Sequence, residues 1–512
     1  MSESPTVEFF YDKRRNIAKI VSHELLSWIR TQPEFVWDDP NARFVKKFSK
    51  YAKTTHYAIG PMGNYNVGLT IDIIKTIKKE YTNANIKFND DILNVIRPNS
   101  SFSGIQIENT LSFPIRDYQN DTLKSMYKSG RGIIELGTGG GKTFIFANFL
   151  NLIYKHKSDL KCLIIVPSIS LVEQCYKDFI DYGCNFTFSK FSGDNKLNLN
   201  VNVIIAGEDI INTKRKKSPK EIDDLYDVNY LLIDEVHELT HTVKLNDFVK
   251  QIKTHNKFGF TGSLPKNPRD VWNIFGNIGS LIYSKPSIEL RDEGYLSPVE
   301  VKVIKLSYEE SPVYKKYDET DEDSNTVDNF NSETSFISES EFRNNVLYRI
   351  CNSLDNNILI LVNRIEHGNI LTKYLTEKLP NKKIEFIHGG VDVEDRERVR
   401  TSMETNNNIV CVAITKVFAT GINVKNLHYI FFAGFGKSYT TIVQGIGRGL
   451  RKHESKSKLI VFDVCDNLRY SSSHMLSRIE VYEEEKIPYS VVEFNEFLQK
   501  QKNETPKRQI LH

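Results

Sequence analysis

Short apolar runs, set between longer stretches of helical periodicity, recur along most of this chain. Residues Ile133 to Leu136, Cys162 to Val166, Val203 to Ala206 and Leu231 to Ile233 form one series. Ile358 to Val362, Ile384 to His388, Ile409 to Ala413, Tyr429 to Phe432 and Leu459 to Phe462 form a second, in a stretch that begins near Glu341. Runs this short and this apolar predict strands buried on both faces of a parallel sheet. Strand–helix alternation of this kind calls for right-handed crossovers, so the pattern predicts an α/β fold with two parallel-sheet domains in tandem. Ahead of them, residues 68–81 place Leu69, Ile73, Ile77 and Tyr81 on one helical face and Lys75, Lys78 and Lys79 off it. That amphipathic helix belongs to a small N-terminal domain.

Changes in pattern set the expected boundaries. Residues 1–110 form the N-terminal domain, 111–305 the first parallel-sheet domain, 306–340 a linker, 341–495 the second domain and 496–512 a charged tail. The linker opens with Asp318-Glu319-Thr320-Asp321-Glu322-Asp323 and stays polar to about Glu339, which predicts an exposed, mobile insertion. A solvated loop is the plain expectation for it, and a regulatory segment the alternative.

A length of 512 residues with 40% hydrophobic content supports several real cores. The net charge is only +3, so any nucleic-acid binding must come from local patches. Candidate patches are Lys46, Lys47, Lys50 and Lys53 among Phe44, Phe48 and Tyr51, and the run Lys214-Arg215-Lys216-Lys217, read as a loop able to touch DNA phosphates. For the N-terminal patch the alternative is a packing domain with a solvated lysine face. The six cysteines form no C-x-x-C pair and read as reduced core thiols of a cytosolic protein. No apolar run approaches the ~20 residues of a membrane span, and Met1-Ser-Glu-Ser-Pro-Thr lacks a signal-peptide pattern. The expectation is a soluble cytoplasmic protein with no membrane partner. The pattern fixes no oligomeric state, and a monomer is favoured.

Four segments carry candidate chemistry. The first, Gly137-Thr138-Gly139-Gly140-Gly141-Lys142-Thr143, stands between a predicted strand and a predicted helix. Glycines there let backbone N–H groups approach phosphate oxygens, and the helix N-terminus favours negative charge. Lys142 would reach the β- and γ-phosphates of ATP and Thr143 would ligate Mg²⁺. The strict phosphate-loop pattern fails at its first position, Leu136. Taken alone, the string also fits a glycine-rich turn with a solvated lysine. In the second segment, Asp234 and Glu235 follow a buried strand, where α/β sheets place ligands. Asp234 would hold Mg²⁺ and Glu235 would orient or deprotonate a water. His237 fits either a coupling role or an ordinary hydrogen-bonded histidine. The third segment is Thr261-Gly262-Ser263. In the fourth, Arg448 and Arg451 lie three residues apart and, on one helix, would share a face. They fit charge stabilisation at a γ-phosphoryl group, or a pair of surface arginines. Upstream, Gln119 could read an adenine edge and Tyr118 could stack on the ring.

In order and spacing these strings resemble the superfamily 2 helicase motifs, over about residues 111 to 495. Arg116, Tyr118 and Gln119 resemble the adenine-reading segment. Ile165-Val166-Pro167-Ser168, Leu361-Val362-Asn363-Arg364 and Ala413 through Asn423 resemble further motifs, as does Gln444 through Arg451. Within the superfamily the chain is similar to the UvsW-type phage recombination helicases, notably at Val417 to His428, Gln444 to His453 and from Arg478 to Tyr482. It departs at Gly445, where many relatives carry arginine. The resemblance implies two RecA-like domains with ATP in the cleft between them, and a small α+β N-terminal domain whose strand-rich part Asn41 through Gly68 resembles. It adds Thr138, Gly139, Gly140, Gly141, Gly421 and Gln444 to the nucleotide contacts. It makes His237, Thr261 and Ser263 coupling residues, and lays nucleic acid along Pro167, Ser168, Asn363, Arg364 and Thr415. It also implies ATP-driven remodelling of branched or forked DNA in phage recombination, repair and replication: branch migration, fork regression and unwinding of RNA–DNA hybrids, in the cytoplasm of an infected cell. A double-stranded DNA translocase or RNA-directed helicase of the same superfamily shares these motifs. A junction-binding protein with a vestigial ATPase is the alternative of another class.

Overall fold

The computed structural model describes residues 4–13, 17–40, 54–96, 106–240, 243–308, 326–415, 417, 424–434 and 436–494. The lysine–aromatic cluster at 44–53, the acidic run at 318–323, Gly421 and the tail lie outside them. The chain divides into two compact units. The first runs to Pro286, except that Gly137–Gly140 is grouped with the second, which otherwise begins at Ser287.

The N-terminal part of the first unit holds strands β1 (Thr6–Asp12), β2 (Ile17–Val21), β3 (Val36–Asp38), β4 (Thr55–Tyr57), β5 (Asn64–Tyr65) and β6 (Asn85–Phe88). A four-stranded sheet has the order β5-β2-β1-β6, and β3 pairs with β4 separately. The predicted amphipathic helix forms over Thr70–Glu80. It buries Leu69, Ile73 and Ile77 against this sheet and leaves Lys75, Lys78 and Lys79 exposed. The small domain is packed on the first parallel-sheet domain. Trp272 Nε1 donates to the Glu34 carbonyl at 2.9 Å, and Ser280 Oγ donates to Asp72 Oδ2 at 2.9 Å. At Gly68 a Cβ would stand 2.0 Å from the Phe275 carbonyl oxygen, so only glycine permits this approach.

Seven parallel strands follow: β7 (Gly132–Leu136), β8 (Cys162–Val166), β9 (Phe188–Phe191), β10 (Val203–Gly207), β11 (Tyr230–Ile233), β12 (Lys257–Thr261) and β13 (Leu281–Lys285). Their order is β13-β7-β12-β11-β8-β10-β9, and every pairing is parallel. β8, β10, β11 and β12 are buried throughout, which explains their continuous apolar character. Phe146, Phe149, Phe258 and Phe260 pack edge-on beneath the sheet, with ring centroids 4.6 and 5.2 Å apart in the two closest pairs.

The second unit repeats the plan with β14 (Val299–Leu306), β15 (Ile358–Val362), β16 (Lys383–Ile387), β17 (Ile409–Ile414), β18 (Tyr429–Phe432), β19 (Leu459–Asp466) and β20 (Tyr489–Glu493). The order is β16-β17-β15-β18-β19-β14-β20, again all parallel. The two seven-stranded sheets and the small α+β region are the expected architecture. Two local expectations need correcting. The first domain was expected to run to 305, yet Val299–Leu306 pairs along its whole length with β19 of the second sheet. The polar stretch up to Glu339 was expected to be a mobile insertion, but Thr326–Glu339 is a helix. Its Glu333 is buried and accepts hydrogen bonds from the backbone N–H groups of Tyr470 and Ser471.

Candidate nucleotide and nucleic-acid site

Parallel order brings the candidate residues of the first unit to one edge. β7 ends into the glycine loop, β8 into Pro167 and Ser168, β11 into Asp234 and Glu235, and β12 into Gly262 and Ser263. β12 lies between β7 and β11, so Thr261 stands between the loop strand and the carboxylate strand. This is the carboxyl end of the sheet, where α/β folds bind ligands.

The glycine loop leads directly into the helix Lys142–His156. Gly139 and Gly141 have φ of 87° and 83°, in the region that side chains disfavour. A Cβ on Gly141 would also lie 2.6 Å from Gln119 Nε2. The helix's first N–H groups thus open onto the loop with no bulky side chain at the turn. Thr138, Gly139 and Thr143 are partly exposed, and Gly140 is buried.

The Lys142 ammonium sits between two carboxylates. Its Nζ is 3.1 Å from Asp234 Oδ1 and also donates to Glu235 Oε1. Burial pulls the lysine's pKa down, but Asp234 and Glu235 more than reverse this, and the net shift is upward. Burial pushes the Asp234 carboxyl above its usual range, Lys142 pulls it back and Glu235 adds to the rise, leaving it raised. Glu235 itself has φ of 49°, a strained value for a residue with a side chain. Two carboxylates against one ammonium leave net negative charge on hard oxygen donors. That donor set fits a divalent cation of the Mg²⁺ type.

From Glu235 a polar chain reaches the end of β12. His237 is buried, with Nδ1 3.4 Å from Glu235 Oε2 and 2.9 Å from Thr261 Oγ1. Thr261 Oγ1 donates to the Ser263 carbonyl at 2.7 Å. His237, Thr261 and Ser263 are therefore brought together by direct contacts. Arg116 and Gln119 are drawn inward. Gln119 Oε1 accepts the Arg116 N–H at 3.0 Å, closing the N-terminus of the helix Asp117–Ser129, and Arg116 Nη1 donates to the Tyr118 hydroxyl at 3.0 Å. Tyr118 and Gln119 are both buried.

Pro167 and Ser168 are partly exposed, and Ser168 Oγ accepts from Leu171 N–H at the start of the helix Ile169–Tyr182. Beside Ser168 lies a cavity of about 190 Å³, also lined by Ser192, Gly193, Gly207, Asp209 and Thr213. The buried Ser192 hydroxyl has no hydrogen-bond partner among the described residues. Ser192 and Gly193 were missed in the sequence because β9, which aims them, is short and carries alternating polar residues. Glu135 was missed too. Its two oxygens accept from Leu264 N–H at 3.1 Å and Ser284 Oγ at 2.7 Å, tying β7 to the segment after Ser263. The basic run Lys214 to Lys217 is the last turn of the helix Glu208–Lys217 rather than a loop. Four cations suit a helix C-terminus on dipole grounds alone.

In the second unit Asn363 and Arg364 follow β15 and Thr415 follows β17, on adjacent strands. Thr415 is buried, and its Oγ1 donates to the Val362 carbonyl at 3.1 Å; Asn363 is exposed. The helix Tyr439–Gly449 carries Gln444 and Arg448, both partly exposed. Arg451 was expected one turn along the same helix, but the helix ends at Gly449 and Arg451 lies beyond it. Gly449 packs so closely on β19 that a Cβ would be 2.7 Å from the Leu459 side chain.

Residues 112–266 match the family model described as Type III restriction enzyme, res subunit, and residues 343–453 match the helicase conserved C-terminal domain. The chain is 27% identical over 398 residues to the ATP-dependent DNA helicase uvsW of Enterobacteria phage T4, covering 73% of this chain and 76% of that one. This chain is a superfamily 2 helicase. As such it is an ATP-dependent enzyme of a nucleic-acid-binding family. The helicase is also 24% identical to the putative ATP-dependent helicase IRC3 of Saccharomyces cerevisiae, over 70% of this chain and 52% of that protein. Its fold is shared with S. cerevisiae Dbp5 bound to RNA and ADP BeF3, with a TM-score of 0.54, 13% identity and coverage of 76% of this chain and 92% of that chain. Among the described residues no helix is long and apolar enough to cross a membrane.

Proposed function

We propose that this helicase couples ATP hydrolysis to the remodelling of branched DNA: branch migration, fork regression and displacement of RNA from RNA–DNA hybrids. The observation that carries the ATPase part is the half-buried Lys142–Asp234–Glu235 cluster beside the glycine loop. The similarity to a phage enzyme named as an ATP-dependent DNA helicase supports DNA as the track.

In this reading the loop from Thr138 to Gly141 and the helix start at Lys142 cradle the phosphates of ATP. Lys142 turns from its carboxylates to the β- and γ-phosphate oxygens. Thr143 and Asp234 would hold Mg²⁺, which supplies positive charge to the phosphate oxygens. Glu235 accepts a proton from the water whose oxygen attacks the γ-phosphorus, while the bond to the β-phosphate bridging oxygen breaks and ADP leaves. By the family pattern Gly421 and Gln444 contact the nucleotide, and Arg448 and Arg451 neutralise charge on the γ-phosphoryl group. Arg116 and Gln119 frame the adenine end, and the buried Tyr118 holds the Arg116 guanidinium in place. The contacts from Glu235 through His237 to Thr261 and Ser263 transmit the state of the site to the nucleic-acid edge. There Pro167, Ser168 and the cavity at Ser192 grip phosphates without reading bases, as a motor moving along any sequence requires. By the family pattern Asn363 and Arg364 do the same on the second unit, with the buried Thr415 bracing the strand end at Val362. The setting is the cytoplasm of an infected cell.

The test is ATP-dependent conversion of labelled forks, four-way junctions and RNA–DNA hybrids. Conversion of branched substrates in preference to simple duplex ends supports the reading. Activity confined to RNA duplexes, or ATP turnover without conversion of any substrate, contradicts it.

A further inference from the structure

The second unit carries an aromatic and basic patch outside every motif used above. It is built where the helix Thr326–Glu339 meets the start of the helix Arg469–Glu484. Phe330 is 39% exposed on the first of these helices. Its ring stands 5.3 Å from Tyr470 at 87° and 6.0 Å from His474 at 54°. These contacts are not face-to-face stacks, so ring surface stays open to solvent. Arg469 lies over the Tyr470 ring, 5.6 Å from its centroid. Lys437 is exposed and close enough to His474 to act on its charge. Burial first, then Lys437 and Arg478, lowers the His474 pKa, which favours a neutral aromatic ring there.

The patch is held in place by buried chemistry. One turn beyond Phe330, Glu333 receives the Tyr470 and Ser471 N–H groups at 3.0 and 2.7 Å. A buried carboxylate on the N-terminus of the facing helix fixes Phe330 against Tyr470. The neighbouring residue, Asn331, accepts from Arg364 Nη2 at 2.5 Å. The platform is thereby tied to a residue already expected on the nucleic-acid path. An exposed ring framed by Arg364, Arg469 and Lys437 has the chemistry of single-strand binding, in which a base stacks on an aromatic face and cations take the flanking phosphates.

We propose that Phe330, with Tyr470 and His474 behind it, is a stacking platform for an unpaired base of the nucleic-acid substrate, and that Arg469 and Lys437 hold the adjoining phosphates. This rests on the reading of the chain as a nucleic-acid motor. The test is fluorescence anisotropy of the full chain with labelled oligothymidylate and with a blunt duplex, at fixed salt. Phe330→Leu keeps an apolar side chain and removes the ring. It should weaken oligothymidylate binding about 5- to 100-fold while duplex binding changes less than about twofold. Its salt slope should stay that of wild type, whereas Arg469→Ala should flatten the slope. Phe330→Trp should retain affinity, and its added fluorescence, above that of Trp28, Trp37 and Trp272, should be quenched by the oligonucleotide. Unchanged oligothymidylate affinity in Phe330→Leu, with wild type binding normally, overturns the platform and leaves the motor reading standing. If Phe330→Leu proves unfolded, absence of quenching in Phe330→Trp overturns it instead. Wild type that binds no nucleic acid at all removes both.

Discussion

Both units set carboxylates against cations out of full contact with solvent, but they do so in opposite ways. In the second unit Arg478 Nε meets Asp463 Oδ2 at 2.9 Å, and the Tyr482 hydroxyl donates to the same oxygen at 2.8 Å. Arg343 Nε meets both oxygens of Asp466 at 3.0 and 3.2 Å, and Tyr308 donates to it at 2.7 Å. Each carboxylate has one planar cation and a hydroxyl. Burial pulls the Arg478 guanidinium down, and Asp463 and Cys465 more than compensate. In the first unit one flexible ammonium serves two carboxylates, and Asp234 stays raised. The first pattern locks a structure. The second leaves excess negative charge beside an open loop and a cation able to change partners. Buried charge by itself does not mark a functional site; a mismatch in partners does.

The contrast can be broken most sharply at Lys142. Lys142→Ala should abolish steady-state ATP hydrolysis while nucleic-acid binding, measured by anisotropy, largely survives; normal hydrolysis would end the site assignment. Glu235→Gln should lower turnover by about 10²–10⁴-fold with nucleotide still bound, as read by a fluorescent ATP analogue. A loss of nucleotide affinity as large as the loss of turnover would make Glu235 a binding or structural residue. The matching change in the second unit acts on stability. Arg478→Met strands a buried Asp463 and should cost about 3–5 kcal/mol in urea unfolding. If it unfolds like wild type, the locked pair is no anchor.

A more gradual effect, spread over several pH units, concerns Lys257, a buried lysine whose Nζ donates to the Val249 carbonyl at 2.8 Å. Burial, with Arg131 nearby, pulls it down from 10.5 to about 7. Between those values the unfolded chain binds more protons than the native state. Stability from this group therefore rises with pH through that window, by at most about 1.4 kcal/mol per pH unit. Lys257→Met should flatten the rise in urea midpoint between pH 7 and 10. An unchanged slope would mean that Lys257 titrates normally.

Much of this was legible in the chain. Cys162–Val166, Ile358–Val362 and Tyr429–Phe432 are strands over the predicted residues, because both faces of each are covered. The glycine loop and the carboxylate pair were legible because short-range geometry demands those residue types. What depended on distant partners was not. Val-Glu-Val-Lys-Val-Ile-Lys-Leu reads as a strand pattern but does not say which sheet it joins, and β19 decides that. The helix Thr326–Glu339 is polar enough to look like a loop until Glu333 finds the backbone of Tyr470 and Ser471. The shared helical face for Arg448 and Arg451 assumed a helix that Gly449 ends. Tyr118 looked available for stacking, and its burial follows from packing that the local sequence does not encode.

Steady-state ATP hydrolysis by the full chain at fixed salt, alone and with single-stranded DNA, duplex, a four-way junction or RNA, decides whether the helicase is driven by branched DNA. Turnover should be low alone and strongly stimulated by nucleic acid, most of all by the branched DNA. Turnover indifferent to every nucleic acid, with ATP still bound, would mean that this chain is no nucleic-acid motor.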